Sequence, residues 1–162
     1  MRVFVEEQRF KQKWLITLLA VSSLGPLFLV THIFLNKNGM NIYEYLVTLS
    51  IIIASACLIF LFKLSTRIDE KGIHYKFFPF HFSNKTILWD QIKTAEVRTY
   101  NAFTEFGGYG MKGGRFWKKI NGTAFNISGN KGIQLLLNNG KKILIGTQLE
   151  EKAKEVVLRY KK

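Results

Sequence analysis

Cysteine and acidic residues are both scarce in this 162-residue chain. A single cysteine, Cys57, excludes an internal disulfide and a cysteine-based zinc site. Asp and Glu number 11 against 24 Lys and Arg, a formal charge of +13. No acid occurs between Glu105 and Glu150, and no nucleophile–base set or metal-ligand spacing stands out. The length allows one small domain and a little more, not two catalytic domains. With 48% apolar residues, the chain is not a disordered basic tail either.

The apolar residues are concentrated. Trp14–Leu35 and Tyr43–Phe62 are nearly uncharged, and almost all the charge lies outside them. A helix of about 20 apolar residues matches the hydrocarbon core of a bilayer, so both are read as membrane spans and a water-soluble globular enzyme is excluded. The first run is too long for a signal-peptide core, and no small-x-small cleavage pattern precedes the second. Asn36–Ile42 is a turn-rich link carrying one lysine, Lys37. Arg2, Arg9, Lys11 and Lys13 precede the spans, and Lys63, Arg67, Lys71 and Lys76 follow them. The positive-inside rule then puts both termini in the cytoplasm.

Within the spans, Gly25-Pro26 is expected to kink the first helix. Ser22, Ser23, Ala54, Ser55 and Ala56 are small enough for close helix packing. His32 sits near the outer end and Glu44 at the edge, where water can reach it. Two helices without a polar path make an anchor and not a transporter.

From about Thr66 the pattern turns to short strands: Gly72–Phe78, Lys85–Trp89, Ile92–Tyr100, Gly122–Ser128, Gly132–Leu137 and Lys141–Gly146. Ser128-Gly-Asn-Lys131 and Asn138-Asn-Gly140 are turn sequences, and short links between consecutive strands predict antiparallel hairpins. Thr147-Gln-Leu-Glu150 has the form of a capping box. Leu149, Ala153, Val156, Val157 and Tyr160 then share one helical face. The expected architecture is a membrane α-helical hairpin plus an all-β domain. That domain has six to seven antiparallel strands in a curved, partly open barrel, closed by the C-terminal amphipathic helix.

This is the arrangement of the pleckstrin-homology (PH) superfold. The run Gly122–Gln148, the Gly108-Tyr-Gly110 triplet and the opening Glu7-Gln-Arg-Phe-Lys-Gln-Lys-Trp14 resemble bacterial PH-like membrane proteins with two N-terminal transmembrane helices. The resemblance implies residues 1–13 as a cytoplasmic flank, 14–62 as a hairpin with spans at 14–35 and 43–62, and 63–162 as a cytoplasmic PH-like domain. It implies placement in the bacterial inner membrane and brings no functional residues with it.

Gly108-Tyr-Gly-Met-Lys-Gly113 matches the dinucleotide-binding G-x-G-x-x-G pattern. No helical pattern and no ribose-binding acid follow it, so no cofactor is expected. The same segment is better read as a basic, aromatic surface. Lys112, Arg115, Lys118 and Lys119 cluster with Tyr109, Phe116 and Trp117, a composition suited to anionic headgroups or to a protein partner. The plain alternative is a solvated strand connection. Excess positive charge would also attract nucleic acid, but no motif supports that partner. His74 and His81, with Asp69, Glu70 and Asp90 nearest in sequence, are expected to be exposed strand positions. In Trp89-Asp-Gln-Ile92, Trp89 and Ile92 should enter the core while Asp90 starts a turn. The composition points to a membrane-anchored, non-enzymatic binding or scaffolding module. The competing classes are a structural subunit of a homo-oligomer and, last, a small membrane enzyme.

Overall fold

The computed structural model describes residues 3–36, 39–113 and 122–160. It divides into two compact units, an apolar helical unit from Phe10 to Leu61 and a β-rich unit made of the chain up to Arg9 and from Phe62 onward.

The helical unit consists of α1 (Lys13–Leu35) and α2 (Ile42–Cys57), the latter continued by a 3-10 turn over Leu58–Leu61. Both apolar segments are long enough to cross a membrane, and their bounds lie within a residue of those expected. The seryl hydroxyls that the spans carry are turned onto their own helix. Ser22 and Ser23 donate to the Leu19 carbonyl, Ser50 to that of Leu46 and Ser55 to that of Ile52. A polar group satisfied in this way can face hydrocarbon. Phe34 stacks on Tyr45 with ring centroids 4.3 Å apart, joining the two helices near the link. Glu44 does more than meet solvent. It accepts the Asn41 amide at 3.1 Å while Asn41 Oδ1 accepts the Glu44 amide at 3.0 Å, a capping box that starts α2.

The β unit begins before the helices. Phe4–Arg9, expected to be part of a basic flank, forms strand β1 and pairs antiparallel along its whole length with β2 (Lys63–Ile68), from Phe4↔Ile68 to Arg9↔Lys63. The helical hairpin is thus inserted into the connection of a β-hairpin. β3 (Gly72–Phe78) and β4 (Lys85–Leu88) complete a four-stranded sheet in sequence order. A second sheet follows from β5 (Ile92–Thr99), β6 (Gly110–Lys112), β7 (Thr123–Asn126), β8 (Lys131–Leu137) and β9 (Lys142–Gly146), in the order β5-β8-β9-β7-β6.

Among the described residues there are nine strands against the six or seven expected, the additions being β1, β2 and β6. The second sheet is also not antiparallel throughout, since β7 lies parallel to β9. β7 and β8 do run in opposite directions, as their short link requires, but β9 sits between them. Two strand spacings are about 10 Å, a distance that a link of a few extended residues spans.

Leu64, Ile68, Ile73, Phe77, Ile133, Leu135, Leu144 and Ile145 are fully buried and form the center of this unit. Helix α4 (Glu150–Tyr160) buries Ala153, Val156 and Val157, whereas Leu149 stays 38% exposed. Ile92 is buried as expected, but Trp89 is only half-buried. Its indole N–H donates to the Asp69 carbonyl at 2.8 Å and its ring stacks on Tyr160.

Half of the expected capping box at Thr147 is present, with Thr147 Oγ1 accepting the Leu149 amide at 3.1 Å, but Glu150 does not complete it. Glu150 pairs with Lys131 at 2.9 Å. The carboxylate at the start of α4 comes instead from Glu6 of β1, which accepts the Thr147 hydroxyl at 2.6 Å and the Gln148 amide at 2.7 Å. Gln8, two residues along the same face, donates to the Gly146 carbonyl at 2.8 Å. Glu6 is therefore a buried polar residue whose hydrogen bonds offset the cost of leaving water, whereas buried Gln8 pairs its Nε2 but leaves its Oε1 without a partner among the described residues.

Candidate functional site

Of the basic residues singled out in sequence, the structure places Lys112, at the end of β6. Arg115, Trp117, Lys118 and Lys119 lie outside the described residues. β6 hydrogen-bonds to β7 and forms one edge of the second sheet. The chain reaches it through a short helix, α3 (Ala102–Phe106), whose first turn is capped by Asn101 Oδ1 accepting the Phe103 and Thr104 amides. Gly107 ends α3 in the left-handed region at φ 74°. The order is helix, turn, strand, the reverse of the strand–turn–helix that cradles a dinucleotide phosphate. Buried Asn126 fixes the start of β6 by accepting the Gly110 amide at 2.9 Å.

A second basic surface is the outer face of the first sheet. Strand alternation and register bring Arg9, Lys63, Arg67, His74 and Lys76 to one side, while Leu64, Ile68, Ile73, Tyr75 and Phe77 fill the other. Glu7 pairs with Lys63 at 2.6 Å and Asp69 with Arg67 at 3.1 Å. Hydrogen bonding by Lys63 holds the Glu7 carboxyl below the usual range. Two shallow depressions of about 380 and 310 Å³ share Arg67, His74 and Asn84 in their walls.

His74 is not a free strand position. Its Nε2 lies 3.0 Å from Asp69 Oδ1 and its Nδ1 lies 2.8 Å from Thr86 Oγ1. Asp69 Oδ1 also accepts the Lys71 amide at 3.0 Å. Burial pushes the Asp69 carboxyl up, but the bonds from His74 and from the Lys71 amide outweigh it and hold the group below the ordinary Asp range. A hydroxyl, an imidazole and a carboxylate in line could in principle move a proton. Here His74 and Thr86 are register partners on neighboring strands. The line therefore ties β4 to the turn after β2, and Asp69 and His74 also line the larger of the two depressions. Sequence spacing did not reveal it, because the β3–β4 register is what brings the three side chains together.

His81 lies in the β3–β4 turn and not on a strand. Its Nδ1 accepts the Phe77 amide at 3.3 Å, and its ring packs 5.8 Å from Tyr75 and 5.4 Å from Phe125. Burial, with Lys85 nearby, lowers its pKa, favoring the neutral imidazole that this acceptor role needs.

On the second sheet, Arg98 Nη2 meets Glu105 Oε2 at 2.7 Å and Gln134 Oε1 at 3.0 Å, and Glu105 accepts the Asn101 amide at 2.8 Å. The Arg98 hydrogen bond holds the Glu105 carboxyl below its ordinary value. The cluster anchors α3 to β5 and β8. Among the described residues, no group of three or more His, Cys, Asp or Glu side chains could hold a metal ion. No protein-family model matches this chain, and no curated protein matches it either.

Proposed function

We propose that this chain is a membrane-anchored, non-enzymatic binding module. In this reading a PH-like β unit sits at the cytoplasmic face of the bacterial inner membrane and contacts anionic lipid headgroups. The observation that carries it is the β1–β2 ladder, in which Arg9 faces Lys63 across the two ends of the apolar hairpin. If α1 and α2 cross a bilayer, that ladder requires both ends of the hairpin on one side. The strands that run into the helices also bear Arg9, Lys63 and Arg67, and β3 beside them adds Lys76 to the same face. Each cation near an anionic leaflet contributes on the order of 1 kcal/mol. The basic segment that starts at Lys112 and continues in sequence through Arg115, Trp117, Lys118 and Lys119 is a second contact of the same kind.

A soluble piece beginning at Thr66 would lack β1 and half of β2, so the test uses the full chain. It would be reconstituted in nanodiscs of neutral phosphatidylcholine, with and without phosphatidylglycerol, and followed by amide hydrogen exchange. Extra protection of β2–β3 or of residues 110–122 in anionic discs, fading with salt, supports headgroup contact. Charge reversal at Lys112, Arg115, Lys118 and Lys119, at Arg67 and Lys76, and at Lys141 and Lys142 as a control assigns the surface. Equal protection in both lipids would sink the reading.

A second reading, the homo-oligomer subunit, is favored by a groove on α2. Leu46, Val47, Ser50, Ile51 and Ala54 line it, two of them small. A discrete multiple of the protomer mass in mild detergent would support that assembly.

A further inference from the structure

We propose that the β3–β4 turn is an interfacial anchor whose Phe80 and Phe82 side chains lodge at the headgroup–acyl boundary of the bilayer. This rests on the reading above that α1 and α2 cross that membrane. Phe82 is 80% exposed and Phe80 57% exposed, two rings held in water five and three residues beyond buried Phe77. The turn is built to hold them there. The His81 amide donates to the Phe77 carbonyl at 2.8 Å, and the Phe77 amide donates back to His81 Nδ1. Phe80 lies 6.1 Å from Phe77 and 5.9 Å from Phe62, and Phe82 meets Phe78 edge-on at 6.0 Å. A preorganized hydrophobic tip loses little freedom on insertion.

Connectivity supplies the occupant. Phe78 is the register partner of Lys63, and Lys63 follows Leu61, the last residue of the α2 segment, by two positions. Two backbone steps of 3.8 Å plus one strand spacing keep the Phe78 backbone within about 13 Å of that apolar end. No angle between the units changes this bound. Arg9, Lys63, Lys76 and Lys85 surround the root of the turn in sequence and register. Cations at headgroup depth with aromatic rings just below are the composition of a membrane interface.

The test labels Ser83→Cys with an environment-sensitive NBD fluorophore in a Cys57→Ser background, leaving both rings in place. Asn139→Cys in the β8–β9 turn is the comparison site. The full chain is placed in phosphatidylcholine nanodiscs containing shallow-brominated lipid. Blue-shifted emission and several-fold stronger bromine quenching at 83 than at 139 are expected, with or without phosphatidylglycerol. Phe80→Ser/Phe82→Ser should abolish the difference. Equal quenching at both sites, or quenching that survives the double substitution, overturns the anchor. So does a blue shift without bromine quenching, which would point to a protein covering the turn. Release of the chain by alkaline carbonate would remove the spanning reading itself, whereas retention with an unquenched label overturns the anchor alone.

Discussion

Glu6 Oε2 accepts the hydroxyl proton of Thr147 at 2.6 Å across 141 residues of sequence. That bond, with the Gln148 amide on Oε1, makes β1 the cap of α4.

Removing the cap should be costly. Each hydrogen bond to a charged group contributes roughly 1.5–3 kcal/mol, so Glu6→Ala should destabilize the β unit by about 3 kcal/mol. Glu6→Gln, which keeps one acceptor oxygen, should cost less. Thermal unfolding in detergent would rank the two. Trypsin should cut first at Lys152 and Lys154 of α4 in the alanine variant. Equal melting of Glu6→Ala and the parent would show that the contact is idle.

Acid should loosen the aromatic turn through His81. Its folded pKa lies below the ordinary 6.5, so the unfolded chain binds the proton more readily. The contribution is complete above that value and is lost as pH falls below it toward the folded value. Protonation also removes the Nδ1 lone pair that accepts the Phe77 amide. His81→Asn can supply an acceptor oxygen without titrating, and its melting temperature should change less between pH 7 and 5 than the parent's. Parallel pH curves would exclude the role.

Glu105 acts in a lower window. Hydrogen bonding by Arg98 lowers its folded pKa from 4.5, so its stabilization is present above 4.5 and is lost on further acidification through the folded value. Glu105→Gln should lower stability at pH 7 and remove part of the acid transition below pH 4.5. Both side chains are 30% exposed, and screening by water keeps the expected loss to about 1 kcal/mol. Chemical denaturation at pH 7 and pH 4 checks both.

Gly122 has φ 82° at the start of β7, and a Cβ there would run into the Lys142 carbonyl of β9. Left-handed strain and a backbone clash together predict that Gly122→Ala costs at least about 2 kcal/mol. Gly140 shares the sign of φ, at 78°, but opens onto empty space. Gly140→Ala should therefore cost less, and paired unfolding curves would distinguish strain alone from strain plus collision.

The helices were legible to within a residue because an apolar run announces itself locally. Gly72–Phe78 was readable for a similar reason, since large apolar residues alternate along most of it. β1 was not. Its inward positions after Phe4 are Glu6 and Gln8, and their burial makes sense only once Thr147 and Gly146 stand opposite. β2 hid because its Lys63 and Arg67 read as flanking charge. Lys112 was recognized as part of a basic cluster, but α3 before it lacks the length for a helical period to show. The Asp69–His74–Thr86 line depends on register, which composition does not encode.

The insertion of the apolar hairpin between β1 and β2 has a consequence for biogenesis. β1 leaves the ribosome well before its partner strand and waits, unpaired, while both helices are made. If α1 and α2 cross a bilayer, as proposed above, a chain that inserted one helix and missed the other would strand β1 and β2 on opposite faces of it. Its first sheet would stay incomplete, α4 would lose its carboxylate, and proteases would meet an open β unit. On that reading, correct threading of the two helices is a condition for completing the β unit.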